Sequence, residues 1–328
     1  MPLPIHTPAP WRVELRKNFT DWAILAAFLE LDEANRAKII KRSHFPLNLP
    51  YRLAAKAKKN DLEDPILKQF IPTVEEDLII EGFIEDPVGD KLSRKCSKLL
   101  HKYNARALLV STSACAMHCR YCFRRNFDYE QADKSFTQEL EIIKNDPSIQ
   151  EIILSGGDPL SLSNEALGAL LDQLDGIEHI KMIRFHSRFP LGIPERIDEQ
   201  FLALLTTVSK QIFFVIHCNH TAELDEQVLA ALKKIQRLGI PLLNQSVLLK
   251  GVNDDLTTMK ALLQKLIENG ILPYYLHQLD RAQGTAHFET SEDLGKELIQ
   301  ELTKVLPGYA IPRYVREQQG EPSKTRIL

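Results

Sequence analysis

Six short apolar runs constrain the fold of this chain more than any other feature. They lie at 107–111, 151–155, 181–186, 212–218, 241–249 and 271–279. Most are nearly continuously apolar, the texture of parallel strands covered on both faces. Helical periodicity fills the intervals. Val228, Leu229, Leu232, Ile235 and Leu238 mark one face of a helix that Gly239 and Pro241 stop. Leu256, Met259, Leu262, Leu263, Leu266 and Ile267 mark another, ended by Asn269 and Gly270. Alternation of strand and helix predicts βα units on a parallel sheet. Six such units are too few to close an eight-stranded barrel. The expected architecture is therefore an α/β partial (β/α)6 barrel, with its chemistry at the C-terminal ends of the strands. Residues 309–315 can add one more strand before a tail containing Pro and Ser.

The chain divides near residue 105. Residues 1–104 predict a helical region: Trp22, Leu25, Phe28 and Leu29 recur at helical spacing, as do Leu53, Ala54 and Ala57. Pro46, Pro50, Pro65 and Pro72 limit helix length there. No chemical motif stands out, so this region reads as scaffold. Residues 105–305 form the βα core, and 306–328 a short C-terminal segment.

Composition excludes several functions. The 41 basic and 44 acidic residues give a net charge of −3, without the basic excess of a general nucleic-acid binder. No apolar run approaches the roughly 20 residues that span a bilayer. Residues 1–11 are proline-rich and lack the charged-then-apolar order of a signal peptide. A cytoplasmic protein is expected. Five cysteines, an odd number, then favour metal binding or catalysis over disulfides.

Three of the five follow the first strand in a C-x3-C-x2-C spacing: Cys115, Cys119 and Cys122. Three thiolates so placed can hold three irons of a [4Fe–4S] cluster and leave the fourth open to a ligand. Zinc competes, because His118 lies between the cysteines. Its position beside Cys119 does not match the usual pairs of closed zinc sites. Cys96 and Cys218 read as small buried hydrophobes. One strand later comes Ser155-Gly156-Gly157-Asp158-Pro159. This is good turn chemistry, and glycines also let backbone approach a ligand closely. Arg124 and Arg125, just past Cys122, are candidates for bidentate binding of carboxylate or phosphate.

The cysteine spacing, with Tyr121 just before the third cysteine, resembles the signature of the radical S-adenosylmethionine (SAM) enzymes. The resemblance implies that Cys115, Cys119 and Cys122 hold the cluster and that Tyr121 lies near the adenine of SAM. It also implies that Gly156, Gly157 and Asp158 meet the methionine end of SAM. Further matches are Arg184-Phe-His-Ser-Arg188, the run from Asn244-Gln245 to Asn253-Asp254, and Pro273-Tyr-Tyr. Together these resemble the lysine 2,3-aminomutases over roughly residues 100–324, which places Gln245 at SAM.

That resemblance implies a second cofactor, pyridoxal 5′-phosphate (PLP), held by a lysine as a Schiff base. Tyr309-Ala-Ile-Pro312 resembles the family's Tyr-Ala-Val-Pro segment, and counting from it puts the cofactor lysine at Lys324. Here Gly320-Glu-Pro-Ser-Lys324 replaces a glycine-rich stretch. Arg106 matches a family arginine near the cofactor phosphate. Asp280 and Glu317 match the carboxylates that hold the distal ammonium of the substrate, and Arg124 becomes the candidate for its α-carboxylate. Glu317 stands where the clostridial lysine enzyme has aspartate, which keeps arginine open as a substrate beside lysine. The chain stops soon after Lys324, as in the branch that supplies (R)-β-lysine to a ligase for elongation factor P. The expected partners are thus lysine, that ligase and an external electron donor. An iron–sulfur redox or sensor protein is the competing class, and it has no use for Lys324, Asp280 or Glu317.

Overall fold

The computed structural model describes residues 8–129 and 135–328. Part of the proline-rich N-terminal stretch, residues 1–7, lies outside the described residues. Ten strands form one sheet whose spatial order is the chain order. They are β1 (Arg94–Cys96), β2 (Leu99–Tyr103), β3 (Arg106–Thr112), β4 (Glu151–Gly156), β5 (Met182–Ser187), β6 (Gln211–Ile216), β7 (Leu242–Val247), β8 (Leu272–His277), β9 (Arg313–Arg316) and β10 (Thr325–Arg326). Strands β3 to β9 are parallel. Strands β1, β2 and β10 are antiparallel additions at the two edges. All six runs read from the sequence are strands, β3 to β8.

A helix crosses between each parallel pair: α1 (Thr137–Asn145), α2 (Asn164–Asp175), α3 (Glu199–Thr207), α4 (Glu226–Gln236), α5 (Leu256–Glu268) and α6 (Glu292–Val305). Five of these start on a side-chain cap. Ser163, Asp198, Asp225, Asp255 and Ser291 accept from Ala166, Phe201, Val228, Thr258 and Leu294 N–H, respectively. Such caps satisfy amides that a first helical turn leaves unbonded. The predicted apolar stripes face the sheet: Val228, Leu232 and Ile235 of α4 and Met259, Leu262, Leu263 and Leu266 of α5 are buried.

Alternate strand residues sort to two faces. Ile183, Phe185, Ile212, Phe214 and Ile216 pack toward the helices in the main core. Their neighbours Arg184, His186 and His217 point to the inner face, where His186 meets His217. The first hundred residues add short helices, Trp22–Phe28 and Tyr51–Lys56 among them. Trp11, Leu25, Leu53 and Phe70 join the same core as the barrel, with the Trp11 ring edge-on to Phe189 at 5.7 Å.

The C-terminal segment is also part of the sheet. After β9 the chain turns at Gly320, whose φ of +85° suits glycine. It returns as β10, pairing Thr325 with Arg316, and Ile327 N–H donates to Tyr314 O. This hairpin brings Lys324 back beside Glu317.

Candidate active site

The cysteine loop leaves the C-terminal end of β3 and is held from two sides. On one side, Gly157 N–H donates to Thr112 O at 2.7 Å and Asp158 N–H to Ala114 O at 2.8 Å. A Cβ on Gly157 would meet Ala114 O at 2.3 Å, and Gly156 has a φ of +108°. Both glycines are thus required by the close approach of two loops. On the other side, Asn18 Nδ2 donates to Ala116 O at 2.7 Å and Asn48 Nδ2 to Cys115 O at 3.1 Å. Arg120 N–H donates to Gln69 O, and buried Glu76 takes ion pairs from both Arg120 and Arg125. The N-terminal region, read from sequence as scaffold, is the clamp on this loop. Its contacts are single polar residues up to 98 positions from their partners, so no periodicity announces them.

Cys115, Cys119 and Cys122 are free thiols. Burial, then the neighbouring Asp158 carboxylate and the other two thiols, pushes Cys115 well up. Burial and Cys119 push Cys122 to about 11. Thiols that resist charging this strongly, as Cys115 and Cys122 do, call for a compensating cation, which iron supplies to thiolate ligands. His118 is not turned to them. Its Nδ1 bonds Pro46 O at 2.9 Å and its ring stacks on Phe45, so the donors fit a cluster rather than a zinc site with His118. Cys218 is fully buried in the core, and Cys96 on β1 bonds Glu139.

Arg188, just past β5, ties this end of the barrel together. Its Nη1 donates to Cys119 Sγ at 2.8 Å and to the Tyr121 hydroxyl. Its Nη2 donates to Gln69 at 2.7 Å and Glu223 at 2.6 Å. Asn219, past β6, also holds the Tyr121 hydroxyl. Gln69, Asn219 and Glu223 were not singled out in the sequence, for they carry no motif. Asp158 is turned inward. Its carboxylate accepts from Leu160 N–H, Ser187 Oγ, Arg188 N–H and Phe189 N–H, and burial still lifts it to about 6. It fixes the start of the Arg188 loop from behind.

Arg124 is buried, with Nε on Asp90 at 2.7 Å and Nη1 3.4 Å from Ser155. Neither it nor Arg125 is a surface arginine. Gln245 and Tyr275 are register partners on β7 and β8. Arg106 stacks its guanidinium on Tyr103 at 4.8 Å, and among the described residues it has no ion pair.

At the hairpin, Lys324 Nζ lies 2.7 Å from Glu317 and 5.8 Å from the Tyr275 ring centroid. Glu317 also accepts from Lys102 at 2.8 Å and from the Tyr103 hydroxyl. Burial alone would raise the Glu317 carboxyl, but the Lys324 and Lys102 charges overcome it and hold it at about 2. Asp280 lies in the same field without a side-chain hydrogen bond among the described residues. Burial pushes its carboxyl to about 7, against the pull of Lys324. His186, His217 and His277 line the same face, and Nε2 of His186 and of His277 is buried without a partner. A mouth with an amine, two carboxylates, an unpaired arginine and orphaned imidazole nitrogens fits a polar aromatic cofactor beside a zwitterion.

Comparison with known proteins agrees with this arrangement. Residues 109–263 match the Radical SAM superfamily. The crystal structure of Streptococcus suis SuiB bound to S-adenosylmethionine shares the fold over 66% of this chain and 51% of that one, with a TM-score of 0.50 and 14% identity. Fold and thiol loop thus define a radical SAM enzyme, with a [4Fe–4S] cluster and SAM as cofactors. L-lysine 2,3-aminomutase of Escherichia coli (strain K12) is 40% identical over 98% of this chain and 96% of its own length. The Haemophilus influenzae enzyme of the same name is 39% identical, covering 96% and 94%. The Clostridium subterminale enzyme is 34% identical, covering 97% of this chain and 77% of the relative. The chain belongs to the lysine 2,3-aminomutase family of isomerases, which adds PLP to its cofactors. Among the described residues no helix is long and apolar enough to cross a membrane.

Proposed function

We propose that this enzyme converts (S)-α-lysine to (R)-β-lysine. One observation carries the reading: a radical SAM barrel with three free thiols on the loop after β3 also brings a hairpin amine beside two carboxylates. When bound, the cluster and SAM supply hydrogen abstraction at an unactivated carbon, and PLP supplies a π-system across which an amino nitrogen can migrate.

This chain's own groups bind, orient and exclude water. Cys115, Cys119 and Cys122 hold the cluster, and Arg188 donates to the Cys119 sulfur. Tyr121, fixed through its hydroxyl, and Gln245 would flank SAM. Gly156 and Gly157, which hold the loop after β4 tight against the cysteine loop, would offer backbone to the methionine end of SAM, and Asp158 acts as a positioning residue. Lys324 would carry PLP and Arg106 would meet its phosphate, as a guanidinium with no ion pair among the described residues can. Arg124 keeps a guanidinium edge for the substrate α-carboxylate while Asp90 holds its Nε. Asp280 and Glu317 take the distal ammonium, since a buried ammonium needs paired negative charge. Lys324 occupies that field in this structure through Glu317. Reactive carbon-centred species attack whatever is near, so rigid placement in a dry cavity is the main contribution of the protein.

The reading extends to the cytoplasm, to an external electron donor, and to a ligase that attaches the product to elongation factor P. The test is anaerobic incubation of reconstituted enzyme with α-lysine or with arginine, followed by chiral separation of the products. (R)-β-lysine from lysine and little turnover of arginine is the expected result. Turnover of arginine alone would overturn the substrate assignment, and iron without PLP would point to the sensor class.

A further inference from the structure

His277 ends β8 on the inner face of the barrel and is 5% exposed. Its Nε2 is buried with no hydrogen-bond partner, and no hydrogen bond among the described residues reaches its ring. Leaving a buried N–H or nitrogen lone pair unpaired is unfavourable, so such an atom calls for a ligand. The ring packs edge-on against Tyr275 at 5.6 Å, and Tyr275 is also the ring beside Lys324 Nζ. Lys324, Glu317 and His217 are the charged or titratable groups that act on it. Burial, then Lys324, lowers its basicity, which leaves a neutral imidazole.

We propose that His277 binds PLP through a hydrogen bond from Nε2–H to the phenolic oxygen of the pyridine ring. The inference rests on the reading of Lys324 as the cofactor lysine. In pyridoxal the carbon that joins the lysine is flanked by two polar groups, the phenolic oxygen and the phosphate-bearing arm. The phosphate calls for cations such as Arg106. A neutral imidazole that packs on the same Tyr275 ring as the lysine suits the phenolic oxygen, whose charge it can stabilise without titrating. His277 is a binding and positioning residue that no motif in the sequence marks.

The test compares wild type, His277→Phe and His277→Gln, each carrying its cluster, without SAM or substrate. Difference spectra between PLP-loaded and unloaded protein give the visible band of the bound cofactor, and titration gives its affinity. His277→Phe is expected to shift the band and weaken PLP binding about tenfold, the size expected for one lost bond to a charged acceptor. His277→Gln, which keeps an N–H, should stay near wild type. If His277→Phe folds poorly, His277→Ala with added imidazole replaces it, and recovery of the band supports the bond. A wild-type band and affinity in His277→Phe, or no response of His277→Ala to imidazole, overturns the inference. Failure of wild type to take up PLP would instead overturn the reading of Lys324.

Discussion

Gly157→Ala tests how the barrel holds its cysteine loop. The added methyl carbon would lie 2.3 Å from Ala114 O, and 2.8 Å from both Ala114 C and Ser113 C. All three are backbone atoms, so no side chain can swing away. Reaching even 3.0 Å, a separation that real Cβ atoms rarely go below, requires the Ala114 carbonyl to retreat by about 0.7 Å, the difference between 3.0 and 2.3. Cys115 is the next residue and moves with it. Metal–ligand distances tolerate only about 0.2 Å, so one thiol leaves its place in the cluster. The shift also breaks or stretches Gly157 N–H to Thr112 O and Asp158 N–H to Ala114 O, together worth about 2 kcal/mol. Overpacking typically adds about 1–3 kcal/mol. The Tm of the unloaded protein should fall by roughly 5–10 °C, and iron per chain after anaerobic reconstitution should fall severalfold. The control is Gly308→Ala, where a new Cβ meets nothing within 4 Å. It should leave both readings unchanged. A Gly157→Ala protein with wild-type Tm and full iron would refute the argument that close loop packing sets the cluster geometry.

Three further outcomes are expected. Arg188→Met leaves Glu223 buried and unpaired and takes a donor from Cys119; stability should drop by about 3–5 kcal/mol in denaturant titration, with loss of iron. Lys324→Ala should keep the cluster, read as iron per chain, but lose the PLP difference band; retention of a normal band would remove Lys324 from its role. Asp280 carries a folded-state pKa raised to about 7 from 3.8, so its contribution to stability is fully present below about pH 4 and is lost as pH rises through 7. Asp280→Asn should therefore stabilise the unloaded protein at pH 8, by at most about 1.4 kcal/mol per pH unit of the window and read as a higher Tm, and change its stability little near pH 4; the same gain at both values would contradict this origin.

Much of the barrel was legible because its forces are periodic. Continuous apolar runs gave β3 to β8, and stripes at helical spacing gave α4 and α5 with their stop signals. The expected strand at 309–315 is observed as β9, Arg313–Arg316. What lacked period was missed. Strands β1 and β2 are short and rich in Arg, Lys and His, and they pair antiparallel across the division expected near residue 105. Strand β10 has two residues and owes its place to the hairpin that returns Lys324 to Glu317. The cysteine loop was visible as spacing, but its clamp was not, since Asn18, Asn48, Gln69 and Glu76 act singly from far along the chain. Arg188 lay inside a quoted motif without a role. Only the structure shows it bonded to Cys119, Tyr121, Gln69 and Glu223 at once.

The most direct measurement follows one nitrogen. Lysine labelled with 15N at the α-amino group and 13C at carbon 3 is incubated anaerobically with the reconstituted enzyme, SAM and PLP. A new one-bond 13C–15N coupling at carbon 3 of the product is the predicted result. Product, or unconverted lysine, whose 15N stays on carbon 2 under conditions where cluster and PLP are both loaded would contradict the account.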